Sequence, residues 1–147
     1  MKMQSKFARL ALPVAFCLIT AVTLVKLSSA TVGTITKADR SGNWQVTRYG
    51  QGGCGVATSL VTFNLNGSGV GTATNKSHSV GCGDTTTTGN TFTINSMTSN
   101  GSGTAGLTCG AGCGFTFSIQ VAPDRSAFNL VDITDANNFL EGVAVHQ

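Results

Sequence analysis

Charge is scarce in this chain: Asp, Glu, Lys and Arg together make up 10% of its 147 residues. Proline occurs twice, tryptophan once, tyrosine once and histidine twice. Each scarcity excludes something. So few basic side chains leave no electrostatic footprint for nucleic acid or an anionic membrane. His78 and His146 stand alone, without a paired-histidine spacing, and no Ser-His-Asp arrangement, HExxH or phosphate loop can be read. The chain therefore reads as non-enzymatic, with no cofactor and no metal expected. Beyond the N-terminal apolar run, no segment carries a helical hydrophobic period, which argues against an α or α/β fold.

That apolar run is read as an address. Lys2, Lys6 and Arg9 make a basic start, residues 10–25 are mostly apolar, and Ser28-Ser29-Ala30 supplies the small residues a signal peptidase reads. The run falls short of the ~20 residues needed to span a bilayer. Phe16 precedes Cys17 where a lipid-attachment motif wants a small residue, so no lipid anchor is expected. The expected organisation is a signal peptide over 1–30, a flexible arm over 31–41 and one domain over 42–147, secreted or periplasmic, with no membrane anchor after cleavage. Cleavage removes Lys2, Lys6, Arg9 and Lys26. It leaves Lys37, Arg40, Arg48, Lys76 and Arg125 against six carboxylates, so the formal charge of +3 belongs to the signal segment.

All nineteen glycines lie after that segment, and only Pro123 of the two prolines does. Threonine, valine and phenylalanine alternate there with small polar residues. Eight strands are expected, at 43–49, 56–65, 70–80, 91–97, 104–109, 114–122, 126–134 and 139–146. Asn66-Gly67 and Asn100-Gly101 are strong hairpin signals, because a type I′ turn needs positive φ at both central residues. Phe115, Phe117, Ile119 and Val121 alternate with Thr116, Ser118 and Gln120, the pattern of one buried and one solvated face. Tight turns between successive strands favour an all-β, eight-stranded antiparallel up-and-down barrel, whose closure removes both edges. A β-sandwich is the alternative; it normally needs longer crossovers.

In such a barrel the short turns share one end. The longer connections, 50–55 and 81–90 among them, share the other with Cys54, Cys82, Cys109 and Cys113. An even number of cysteines in an exported chain implies disulfides. A hairpin turning on Asn66-Gly67 brings Cys54 beside position 79, near Cys82, while Cys109 and Cys113 flank a short turn. Cys54–Cys82 with Cys109–Cys113 is favoured, and Cys54–Cys113 with Cys82–Cys109 stays open.

Gly42-Asn43-Trp44 resembles the Gly-x-Trp that opens the calycin barrels: lipocalins, avidins and the bacterial metalloprotease inhibitors of similar shape. The resemblance implies that Trp44 plugs the closed end. Residues 124–147 are also similar to the ends of small exported bacterial barrel proteins of unassigned function. The chain departs from lipocalins in lacking Thr-Asp-Tyr at the sixth turn and in ending its last strand with His146 instead of Arg. It departs from avidins in having a single Trp, so the resemblance does not extend to biotin binding.

One constellation invites a functional reading. A tight turn at Ala136-Asn137 sets Asp132 opposite Glu141, on the face of Phe128, Leu130, Val143 and Val145, taken as interior. Arg48 then approaches Glu141, and Lys76 and His78 approach the same mouth. Arg48, Lys76, His78, Asp132 and Glu141 could hold the polar head of a small ligand whose apolar body sits above Trp44. Equally, large side chains could fill an eight-stranded barrel completely. Asp84, among Thr85–Thr88, reads as part of a solvated turn. Two functions stay open: a small-ligand binding barrel, or a module that binds an extracytoplasmic protein, such as a protease inhibitor. The exported assignment has a direct check. Intact mass should match a chain starting at Thr31, and should rise on reduction by two hydrogens for each of two bridges.

Overall fold

Eight antiparallel strands follow one another in chain order and close into a barrel. They are β1 (Gly42–Gly52), β2 (Gly55–Leu65), β3 (Val70–Ser79), β4 (Gly83–Met97), β5 (Ser102–Thr108), β6 (Gly114–Val121), β7 (Ala127–Asp132) and β8 (Phe139–His146). The computed structural model describes residues 33–110, 114–137 and 139–147. The expected signal segment, Cys17 and Cys113 lie outside the described residues. Because β8 pairs with β1, the up-and-down barrel holds and the sandwich does not.

Alternation builds the core. Trp44, Val46, Val61, Phe63, Leu65, Phe92, Ile94, Phe117, Ile119, Phe128, Leu130 and Ala144 point inward and are buried. Phe63 and Phe92 stack at 4.3 Å between ring centroids, and Phe128 lies 5.0 Å from Trp44. Trp44 sits at the end that holds the β2–β3, β4–β5 and β6–β7 turns, as the Gly-x-Trp resemblance implied.

Residues 33–41, where a loose arm was expected, pack across that end. Ile35 is buried, and its N–H donates to the Ser99 carbonyl at 3.0 Å. A single 3-10 turn, Ala38–Arg40, follows. Arg40 is fully buried and donates from Nη1 to the Arg125 carbonyl at 2.7 Å. Its guanidinium lies 5.4 Å from the centroid of Trp44, and the indole N–H donates to the Arg40 carbonyl at 2.7 Å. Asp39 accepts from the Thr36 backbone N–H and hydroxyl, at 2.7 and 2.9 Å, which holds its carboxyl below the usual range with help from Arg125.

Three expectations about the strands and turns need correction. The connections at 50–55 and 81–90 are mostly strand: β1 runs to Gly52, β2 starts at Gly55 and β4 starts at Gly83. Thr85–Thr88 is β-branched and suits a pleated surface, and the Ser77 and Thr85 hydroxyls bond across the ladder at 2.6 Å. Residues 83–90 of β4 thus rise beyond β5, which pairs with β4 only from Thr91, and with the tips of β2 and β3 they form a lip.

The β2–β3 turn is longer than Asn66-Gly67. The Asn66 carboxamide accepts from the Ser68 and Val70 N–H groups, at 3.0 and 3.1 Å, so the loop takes residues 66–69. This sets Ala57 opposite Ser79 and carries Cys54 directly across from Cys82. Their disulfide spans 5.5 Å between Cα atoms and ties the tips of the lip together. Cys109 is also disulfide-bonded.

The β7–β8 register differs by one residue from expectation. Val131, not Asp132, stands opposite Glu141. A one-residue shift sends every side chain of a strand to the other face. Leu140, Gly142 and Ala144 therefore line the interior, and Glu141, Val143 and Val145 face out. The cause is the turn. Asp132 accepts from the Thr134 N–H at 2.9 Å and Asp135 from the Asn137 N–H at 2.7 Å. These Asx turns end β7 at Asp132 and lengthen the connection beyond a tight Ala136-Asn137 hairpin.

The closed end makes a measurable claim. Trp44→Ala should cost ~3–5 kcal/mol in urea denaturation. The fluorescence of this single tryptophan should be blue-shifted and shielded from iodide; a red-shifted, freely quenched emission would contradict its burial.

Candidate functional site

The mouth lies opposite Trp44. Of the five residues expected there, only Arg48 and Asp132 stand on the inward side of their strands, and they form no salt bridge with each other. Arg48 is 5% exposed. Its Nε donates to the Ser59 hydroxyl at 3.0 Å and its Nη2 to the Asn75 carboxamide at 3.3 Å. Its guanidinium carbon lies 5.6 and 5.9 Å from the ring centroids of Phe115 and Phe117. Burial pushes its pKa below the ordinary arginine range, to about 10, against the opposing pull of the Asp132 charge. Arg48 Nη1 and Asp132 Oδ2 are buried without a hydrogen-bond partner. Desolvation outweighs pairing at this site, as is common for buried ions.

Gly142 makes the space that Arg48 occupies. The two stand opposite each other across β1 and β8. A Cβ at Gly142 would fall 2.6 Å from the Thr47 carbonyl and 2.8 Å from Arg48 Cγ. Sequence reasoning missed Gly142, Ser59 and Asn75. The usable signal was a glycine inside an otherwise apolar strand, which marks a close approach.

Below Arg48 the interior is filled. The void lined by Val46, Phe63, Phe92, Phe117, Leu130 and Arg48 measures about 10 Å³, room for roughly one water. Of the two possibilities left open by the sequence, a pocket above Trp44 or a filled barrel, the packing matches the second.

The other expected mouth residues face out. Lys76 lies between Leu60 and Thr86, and His78 between Thr58 and Asp84. His78 Nδ1 and Asp84 Oδ1 are 2.7 Å apart, with the side chains 70% and 90% exposed, so solvent screens the pair heavily. These residues border an open groove of about 470 Å³ on the outside of β1–β4. Glu141 faces out on β8, away from Arg48, so the expected Asp132–Glu141 carboxylate pair does not form. Among the described residues, no three His, Cys, Asp or Glu side chains stand together as metal ligands.

No protein-family model matches this chain, and no curated protein matches it. The functional reading therefore rests on geometry.

Arg48 yields a pH prediction with a defined sign. Its folded-state pKa lies below its unfolded value, so from about pH 10 up to the ordinary arginine range the unfolded chain holds the proton more tightly. Folding stability should rise with pH across that window. Arg48→Met should be at least as stable as wild type at neutral pH, by up to ~3 kcal/mol. The advantage should shrink above pH ~10, where the wild type sheds its buried charge. Urea midpoints of both proteins at neutral and alkaline pH would check this; a clearly weaker variant at neutral pH would mean that Asp132 more than compensates the burial.

Proposed function

We propose that the chain is an exported, calycin-like, non-enzymatic barrel that binds another protein with its outer surface. The observation that carries this reading is the filled interior. A void of about 10 Å³ beneath Arg48 has no room for a ligand with an apolar body, whereas typical small-molecule sites enclose ~300–1,000 Å³. The expected mouth residues do not converge on one internal site either, because Lys76, His78 and Glu141 face solvent. A solid barrel that binds must use its exterior.

Two features support the rest of the reading. Trp44 at the start of β1, buried beneath Arg40 at the closed end, is compatible with a calycin-like barrel. The Cys54–Cys82 disulfide suits an oxidising, extracytoplasmic compartment.

Native mass spectrometry of protein purified from its own source separates the two functions. The expected species is the processed polypeptide without a retained small molecule, alone or with a protein partner. A stoichiometric small-molecule adduct that survives purification would overturn the protein-binding reading in favour of a ligand-binding barrel.

A further inference from the structure

The exterior is not uniform. Tyr49 on β1, Val131 on β7, and Phe139, Val143 and Val145 on β8 all face solvent, each between 41% and 54% exposed. They occupy adjoining positions on one face. Glu141 lies opposite both Tyr49 and Val131, and Val143 lies opposite Thr47 and Asn129. Thr47, Tyr49, Asn129, Val131, Glu141 and Val143 border an open groove of about 530 Å³. A contiguous apolar surface on a barrel of so few charges marks an interaction site more than a solvated wall.

Glu141 selects the occupant. It is the single charged side chain among the outward positions of β1, β7 and β8, and among the described residues it makes no salt bridge. A second copy docking about a two-fold axis near Glu141, the centre of this face, would set one Glu141 against the other, with no basic group on the face to neutralise them. A partner bearing a cation would instead meet a carboxylate beside an aromatic ring, two groups that both attract a guanidinium or ammonium. The flanking valines would cover its aliphatic stem.

We propose that the outer face of β7–β8–β1 docks a partner protein through a Lys or Arg side chain set between apolar side chains, received by Glu141 and Tyr49 and flanked by Val131 and Val143. The proposal rests on the protein-binding reading above and names its surface and the chemistry of its partner.

The test is a backbone-amide NMR titration of the processed protein with a blocked Leu-Lys-Leu peptide, against blocked Leu-Glu-Leu. Saturable shifts are expected with the lysine peptide, confined to β1, β7 and β8 and centred on Glu141, and absent with the glutamate peptide. Glu141→Gln, an exposed substitution that leaves the core untouched, should weaken the lysine peptide roughly fivefold, the upper range for a solvent-exposed ion pair. Tyr49→Ser should weaken it independently. Equal responses to both peptides, shifts centred elsewhere, or an unchanged affinity in Glu141→Gln would overturn the proposal. So would a dimer in sedimentation velocity that Val143→Asp dissociates, because the occupant would then be a second copy. These outcomes leave the protein-binding reading standing, since that reading falls only to a retained small molecule in native mass spectrometry.

Discussion

The pairing of β8 with β1 places Gly142 opposite Arg48, and much else follows from that one juxtaposition. With no side chain at position 142, a guanidinium fits inside an eight-stranded barrel that large residues otherwise fill. Because strand side chains alternate, Gly142 pointing in sends Glu141, Val143 and Val145 out. The solid interior and the apolar exterior are therefore two consequences of one register. A slip by one residue would push Glu141 and Val143 into space that Gly142 and Ala144 leave to Arg48, Trp44 and the phenylalanines. Charge attraction between Glu141 and Arg48 would favour such a slip; close packing forbids it.

The two ends of the barrel solve the same problem by different chemistry. At the closed end, residues 33–41 fold over Trp44, and Arg40 is buried with Nε and Nη2 lacking hydrogen-bond partners. Contact with the indole face and one bond to the Arg125 carbonyl offset part of that desolvation. At the mouth, β4 overtops β5, with the tips of β2 and β3 beside it. There the Cys54–Cys82 bridge restrains a lip made largely of Gly, Ser and Thr. A small domain with a modest core gains from such a staple.

This asymmetry bears on function. An open-mouthed barrel with a polar rim resembles a ligand container from outside. Phe63, Phe92, Phe117 and Phe128 occupy the place where a ligand would sit, and Arg48 closes the space above them with its polar contacts directed to Ser59 and Asn75. Under the protein-binding proposal, the surface that meets other molecules is the wall. On one side the wall carries Lys76, His78 and Asp84 among threonines; on the other it carries valines, Tyr49 and Phe139 around a lone carboxylate.

The sequence by itself determined the strand count, the up-and-down order and the proximity of Cys54 to Cys82, while the place of Trp44 came through the Gly-x-Trp resemblance. These depend on local signals: period-two alternation, Asn-Gly turns and chain distance. Tertiary structure decided which face of β8 is inside. Its pattern, Phe-Leu-Glu-Gly-Val-Ala-Val-His, has apolar residues at both parities, so alternation alone cannot orient it. Orientation came from the Asx turns after Asp132 and from the need for a glycine beside Arg48. The same holds for Thr85–Thr88, where glycines nearby read as a loop but cross-strand pairing made a strand. It holds also for residues 33–41, whose weak pattern hid Ile35 and Arg40 until a barrel end existed to bury them. Local propensity is written along the chain, whereas inside and outside are assigned only when strands distant in sequence compete for the same volume.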